Sequence, residues 1–361
     1  VKRKLVMALA GVAVAAGLAA LCLSGCANLG YYWQSASGHL ALMSAARPVN
    51  DWLADTDTPD ALKARLALSQ RIRDFAATEL HLPDNPSYRR YADLKRRAAV
   101  WNVVAAQPFS LTLHTWCFPV TGCVGYRGYF NEAEARAEAA QLQAQGLEVS
   151  VYGVPAYSTL GWMNWAGGDP LLNTFMHYPE GELARLIFHE LAHQVVYVKD
   201  DTMFNESFAT AVERQGGARW LAAHASEAAR TEYAAFDARR NQFRALALAT
   251  RQRLAAVYAA PGTPVPERTA QKNMVMHDFR ARYAELKASW GGFAGYDPWV
   301  AQANNASFGA QAAYDELVPG FEALLVREQR DWKRFYDAVQ RLAAVPRDER
   351  RRALGAPPST H

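Results

Sequence analysis

Apolar residues recur at three- and four-residue spacing over 31–47 and 59–80, which predicts two helices stopped at Arg47-Pro48 and Leu82-Pro83. From Ala98 to Phe130 the pattern changes to β-branched and aromatic residues with Pro108, Pro119 and several glycines, as in short strands and hairpins. Asn131 to Gly146 opens on a capping residue and closes on Gly, so a helix is expected there. Leu147 to Tyr157, LEVSVYGVPAY, then alternates as a strand. The run LARLIFHELAHQVVYV from Leu183 has no Pro or Gly after Gly181 and predicts a helix breaking at Lys199 to Asp201. A second helix, MFNESFATAVERQGG, returns to Gly217. Arg219–Ala259 and Thr269–Trp290 predict a long antiparallel helical pair, either a cap over a cleft or packing for the preceding helices. Trp299–Ala344 is helical again, with breaks near Asn304-Asn305 and Pro319-Gly320, and the Arg- and Pro-rich segment 347–361 predicts a disordered tail.

The expected class is therefore α+β and mostly helical, with a small strand and hairpin region ahead of the Leu183 helix and long helices after it. A helical segment over 26–98, a core over 99–217 and a helical part over 218–346 are the expected divisions.

The beginning of the chain has a different layout. Lys2, Arg3 and Lys4 precede an apolar, Ala-rich run from Leu5 to Leu23, as in segments that direct export. Residues 1–25 are expected to be a signal peptide; an uncleaved membrane anchor is the other reading that this length allows. Without those three cations, the 39 Lys and Arg become 36 against 35 Asp and Glu, so most of the formal charge of +4 disappears. No basic field is left to suggest nucleic acid as a partner, and Arg89, Arg90, Lys95, Arg96 and Arg97 read as surface charge. Cys117 and Cys123 are the pair left after Cys22 in the export segment and Cys26 behind it. In an oxidising compartment they would close a disulfide loop; as metal ligands they lack a second Cys pair or a nearby His cluster.

The chemistry lies in H-E-x-x-H, His189, Glu190 and His193. Residues four apart share a helix face, so both imidazoles can hold one metal ion, and Glu190 is placed beside it as a general base for a water nucleophile. Glu206 sits about four residues into the returning helix, roughly 6 Å from the break, level with His193 if the two helices run antiparallel. His189, His193 and Glu206 then leave one corner open, as catalytic zinc sites do. Glu213, two turns further along the same face, either accepts the outer N–H of a ligand histidine or is a solvated carboxylate.

Phe204-Asn205-Glu206-Ser207-Phe208-Ala209, with Glu213 and Gly216, closely resembles the N-E-G-F-A segment of gluzincin zinc aminopeptidases, in which that Glu is a zinc ligand. The spacer of twelve residues between His193 and Glu206 is shorter than in familiar gluzincins, and no G-A-M-E-N motif stands upstream. Leu23-Ser24-Gly25-Cys26 resembles the bacterial lipobox, and the whole is similar to a bacterial family of predicted zinc aminopeptidase lipoproteins.

That resemblance implies a zincin-like core, one Zn2+ per chain and peptide substrates. It also implies a lipid-modified Cys26 that attaches the protein to the membrane of the bacterial cell envelope. Because Ala27 rather than Asp follows, an outer-membrane anchor facing the periplasm is expected. The family's substrate-binding edge strand would fall at 156–161, with Tyr157, Thr159 and Gly161 in contact with substrate; a plain core strand and turn is the alternative. Trp162 and Trp165 follow in a loop that could wall the cleft. Tyr314 is the first choice for the oxyanion donor, with a core tyrosine as the alternative, and Asn304 or Asn305 would bind substrate backbone. Three functions are then open: an aminopeptidase, an endopeptidase acting on envelope proteins, and a non-catalytic zinc-binding lipoprotein. Glu190 favours an enzyme, since a binding scaffold has no use for the base. The oligomeric state is not legible.

Overall fold

Proline and capping residues divide the chain into the helices and short strands of a mostly helical α+β protein, as seen in a computed structural model that describes residues 30–118, 122–311 and 316–355. The expected signal peptide, Cys26 and Tyr314 lie outside the described residues. Two compact units are present, one up to Ala45 and one from Ala46 onward. In the first, residues 30–45 form helix α1. Among the described residues no helix is long and apolar enough to cross a membrane.

The second unit starts with β1 (Arg47–Pro48), α2 (Val49–Ala54) and α3 (Asp60–Thr78). β1 pairs antiparallel with β2 (Arg90–Ala92). The main sheet is centred on β3 (Val100–Ala106). A small hairpin follows, β4 (Trp116–Phe118) with β5 (Gly122–Val124). β6 (Arg127–Tyr129) and β7 (Glu148–Val154) flank β3, both antiparallel to it. Between them runs α4 (Glu132–Ala144), capped by Asn131, whose side chain accepts the Ala133 N–H. β8 (Leu171–Leu172) joins β2 in parallel and completes the first sheet.

Helices make up the rest: α5 (Glu180–Ala192), α6 (Thr202–His224), α7 (Glu227–Ala259), α8 (Val265–Ser289), α9 (Asp297–Gln302), α10 (Asn305–Gln311), α11 (Val318–Arg327), α12 (Trp332–Ala343) and α13 (Arg347–Ala353). α5 and α6 pack against each other, α7 against α8, and α10 against the main sheet. Buried rings hold α6 to the later helices: Phe204 and Phe208 lie 5.1 and 5.7 Å from Phe321, and Phe208 lies 5.9 Å from Phe335. Rings at these separations bury large apolar area and pack edge to face or tilted.

Five elements differ from the pattern-based expectation. α5 ends at Ala192 with His193 as its C-cap, and does not continue to Val198. The side-chain amide of Asn205 takes both backbone groups of Val198, at 2.8 Å each, and so satisfies that residue outside a helix. The division at Gly217 falls inside α6, which runs on to His224. Gly216 and Gly217 serve close approach rather than termination, for a Cβ would meet Leu80 Cδ1 at 2.6 Å or Arg185 Cγ at 2.7 Å. The helix expected from Arg219 to Ala259 is split at Ala225-Ser226, where the Ser226 hydroxyl caps α7 by accepting the Ala229 N–H. Residues 156–161 form a loop, not an edge strand; Pro155 follows β7, and the buried Asp169 carboxylate accepts the Thr159 N–H and hydroxyl. The tail expected to be disordered carries α13, which is tied down because Arg350 donates twice to Asp201 Oδ2, at 3.1 and 2.8 Å. Both partners are buried, and Asp201 is itself the N-cap of α6.

Candidate metal centre

His189 occupies the last turn of α5 and His193 its C-cap, so the four-residue spacing survives the early end of the helix. The Nε2 atoms of the two rings stand 3.1 Å apart. Glu206, in the second turn of α6, brings Oε2 to 3.3 Å from His189 Nε2 and 3.7 Å from His193 Nε2. Donors about 2.1 Å from a tetrahedral ion stand roughly 3.4 Å from one another, so these three fit the edges of one coordination tetrahedron. Among the described residues this His-His-Glu group is the one that could hold a metal ion.

Behind His189 the next contacts fix the ring. Its Nδ1 lies 3.0 Å from Oε2 of Glu213, and Arg185 holds the other oxygen of that carboxylate. Arg185 is buried, donates to Tyr233 Oη at 2.9 Å and pairs with Asp237 at 3.3 Å. A carboxylate on the outer nitrogen orients an imidazole and leaves Nε2 as the lone-pair donor. In the connection, the Asn205 clamp on Val198 starts α6 at the register that turns Glu206 toward the histidines.

Burial and charge act in opposite senses across the cluster. Burial would keep His189 neutral, but its hydrogen bonds with Glu206 and Glu213 outweigh this and raise it well above the usual histidine range. His193 goes the other way, lowered to about 4 chiefly by burial. Burial opposes ionising Glu213, yet Arg185 and His189 bring it down to about 2. Glu206 is also lowered against burial, by His193 and His189. Glu190 alone among these carboxyls is pushed up, to about 7; burial is the main cause, His189 opposes it, and Glu206 and Asp169 add to it. A carboxyl that can hold or release a proton near neutrality is what a general base needs. His189 and Glu190 reach a cavity of about 320 Å3 whose wall also carries Thr210, Arg240 and Arg244.

The chain matches, over residues 30–354, the protein family described as "Putative aminopeptidase". It belongs to that family. No curated protein and no solved structure matches the chain. Membership of an aminopeptidase family supports a peptidase-like function in general, and the match covers every element from α1 to α13.

Within this aminopeptidase-family chain, His189, Glu190, His193, Glu206 and Glu213 are brought together, and other described residues singled out in the sequence have contacts of their own. Tyr157 stacks edge-on with Phe130 at 5.2 Å. Thr159 spends its N–H and hydroxyl on Asp169, at 3.0 and 2.7 Å. Gly161 has φ +79° and faces Gln194 and Asn164, so it serves a turn. Asn304 donates to Val149 O at 2.9 Å and caps α10, while buried Asn305 donates to Gln107 O and Pro108 O. Their amides are used by the fold. Trp162 and Trp165 are exposed in the 156–168 loop. Arg96, read as surface charge, instead donates to Ala99 O at 2.7 Å and lies over Trp101.

Three features escaped the sequence reading. Arg185 had a signal, a lone cation one turn before His189 in an apolar run. The Ser158 hydroxyl, which reaches Glu190, had none, because the loop that carries it is distant in sequence. Burial raises the phenols of Tyr88, Tyr152 and Tyr197, and the site's charge adds to this, from Glu190 for the first and from Glu206 for the other two.

Proposed function

We propose that the protein is a zinc-dependent peptidase, an aminopeptidase acting on small peptides. The observation that carries this reading is the convergence of His189, His193 and Glu206 with a partly buried Glu190 beside them. Two imidazoles and one carboxylate suit zinc in an open, catalytic geometry, on a zincin-like core. Held there, zinc supplies Lewis acidity toward a scissile carbonyl and toward water. Glu190 takes the proton from the attacking water and delivers it to the nitrogen of the leaving amine as the C–N bond breaks, with no covalent enzyme intermediate. Ser158 holds the Glu190 carboxylate, and Glu213 with Arg185 holds His189. Family membership and the likeness to gluzincins support removal of N-terminal residues over internal cleavage.

The experiment is Glu190→Gln, tested with a panel of aminoacyl reporter substrates with and without chelator. The variant is expected to keep its zinc and lose hydrolysis. An unimpaired variant rejects the assignment, and cleavage of N-terminally blocked peptides by the wild type would move it to an endopeptidase. The export segment, with Leu23-Ser24-Gly25-Cys26, supports attachment to the cell envelope through a lipid on Cys26. Fatty-acid labelling that survives Cys26→Ala would reject that part.

A further inference from the structure

Helix α1 turns the usual amphipathic order inside out. Its outward stripe repeats every three or four residues, as Trp33, Ala36, Ser37, Leu40, Ala41 and Ser44, and carries no charge. Trp33 is 75% exposed and Leu40 66%, and Tyr32, 46% exposed, stands at the edge of the stripe. The amide of Gln34, the Ser35 hydroxyl and the His39 ring are half-buried on the opposite side, with the buried Leu42 and Met43. A helix on the surface of a protein in water ordinarily puts its polar side chains outward. The two hydroxyls on the outward stripe are also turned back onto the helix. Ser37 donates to Trp33 O at 2.8 Å and Ser44 to Ala41 O at 3.0 Å, so neither proton needs water.

The surrounding sequence indicates what covers this stripe. From Leu5 to Ala46 there is no Asp, Glu, Lys or Arg. Cys26 stands four residues before the first residue of α1, a reach of at most about 14 Å even for extended chain. A lipid on Cys26 would therefore keep the start of α1 within that distance of a bilayer surface. The helix, residues 30–45, is roughly 24 Å long and is not one that could cross a membrane. Tyrosine and tryptophan favour the headgroup level, where the ring body meets acyl chains and the polar tip meets water.

We propose that α1 lies on the bilayer surface, with the stripe from Trp33 to Leu40 set into the headgroup layer. This rests on the reading that Cys26 carries a lipid, which supplies the proximity, while the stripe supplies the apolar area. Because α1 has no Lys or Arg, its contact needs no anionic lipid.

The test uses the processed protein from the bacterial envelope, reconstituted into phosphatidylcholine vesicles whose acyl chains carry bromine to quench tryptophan emission. With ten tryptophans in the chain, the comparison is between the wild type and Trp33→Phe. The wild type is expected to show quenching that Trp33→Phe lacks, strongest for bromine placed near the headgroups. Equal quenching of the two overturns the proposal. A second arm uses the chain from residue 26 with Cys26→Ser, which has no acyl chain and keeps every described element. Trp33→Glu and Leu40→Glu should each lower its partitioning onto phosphatidylcholine vesicles about 10- to 100-fold. Both side chains are exposed, so the thermal midpoint should not move. Partitioning that requires phosphatidylglycerol and vanishes in salt overturns the proposal, and so does a Trp33-dependent dimer without vesicles, since a second copy then covers the stripe. Trp33-dependent partitioning without fatty-acid labelling of Cys26 would keep the contact of α1 and remove the lipid; labelling without quenching specific to Trp33 would do the reverse.

Discussion

Nδ1 of His189 lies 3.0 Å from Oε2 of Glu213, seven residues beyond Glu206 on the same helix. One face of α6 thus carries both Glu206 of the His-His-Glu group and the carboxylate that orients His189 of α5. Substituting such an outer carboxylate commonly lowers metal affinity about 10- to 100-fold. Glu213→Gln keeps the shape but loses the charge, so zinc affinity should fall within that range. Competition against a chromogenic chelator measures it, and an unchanged affinity would leave Glu213 as a partner of Arg185 only.

Asn205 precedes the donor Glu206, and its amide satisfies both the N–H and the C=O of Val198. A buried backbone group left without a partner costs about 1–3 kcal/mol. Asn205→Ala is therefore expected to destabilise the chain by about 2–4 kcal/mol, with some relief from entering water. It should also weaken zinc binding, because the connection then no longer sets the register of α6. Urea midpoints and metal content are the two readouts; a loss of zinc without a loss of stability would contradict the clamp.

Glu190 gives the pH dependence. Its carboxyl is raised to about 7 in the fold, mainly by burial, from an ordinary value of 4.5. The folded chain then binds the proton more tightly than the unfolded chain over that window, so this contribution to stability is full below about 4.5 and lost as the pH climbs through 7. In chelator, the wild type should lose on the order of 3 kcal/mol relative to Glu190→Gln between pH 4 and pH 8. Denaturation midpoints at the two pH values check it. A constant difference would mean that the carboxyl titrates in the fold as it does in the unfolded chain.

The grouping of His189, His193 and Glu206 was legible because its information is local. His189 and His193 are fixed by helix periodicity, and Glu206 by the reach of a short connection, although α5 ends earlier than its apolar run suggests. The error did not matter, since an αR C-cap leaves His193 on the same face. What was not legible depends on distant partners. Nothing around Thr159 announces that Asp169 will take its N–H, and nothing around Arg350 announces Asp201, which is 149 positions away. Gly216 and Gly217 look like a helix end in the sequence and act as a close-packing face because Leu80 and Arg185 come against them. Tertiary contacts of this kind override local propensity.

The Cys117–Cys123 bond holds a hairpin that touches the metal centre's connection. The Cys123 N–H donates to Asp200 Oδ1 at 2.7 Å, and Gly122, at φ +76°, leaves room for that carboxylate, which a Cβ would meet at 2.0 Å. Asp200 lies in the turn between α5 and α6, next to Asp201, the residue that caps α6 and receives Arg350. Closing so short a loop is worth about 2 kcal/mol in the chain-entropy account. A Cys117→Ser/Cys123→Ser double variant should lose about that much stability, and Gly122→Ala should lose a comparable amount through strain at positive φ and the clash with Asp200. Serine variants are the right probe because thiol reductants would also bind zinc and confuse the two effects. If the double variant unfolds at the wild-type urea midpoint while Gly122→Ala does not, the docking on Asp200 rather than the covalent bond carries the hairpin's contribution.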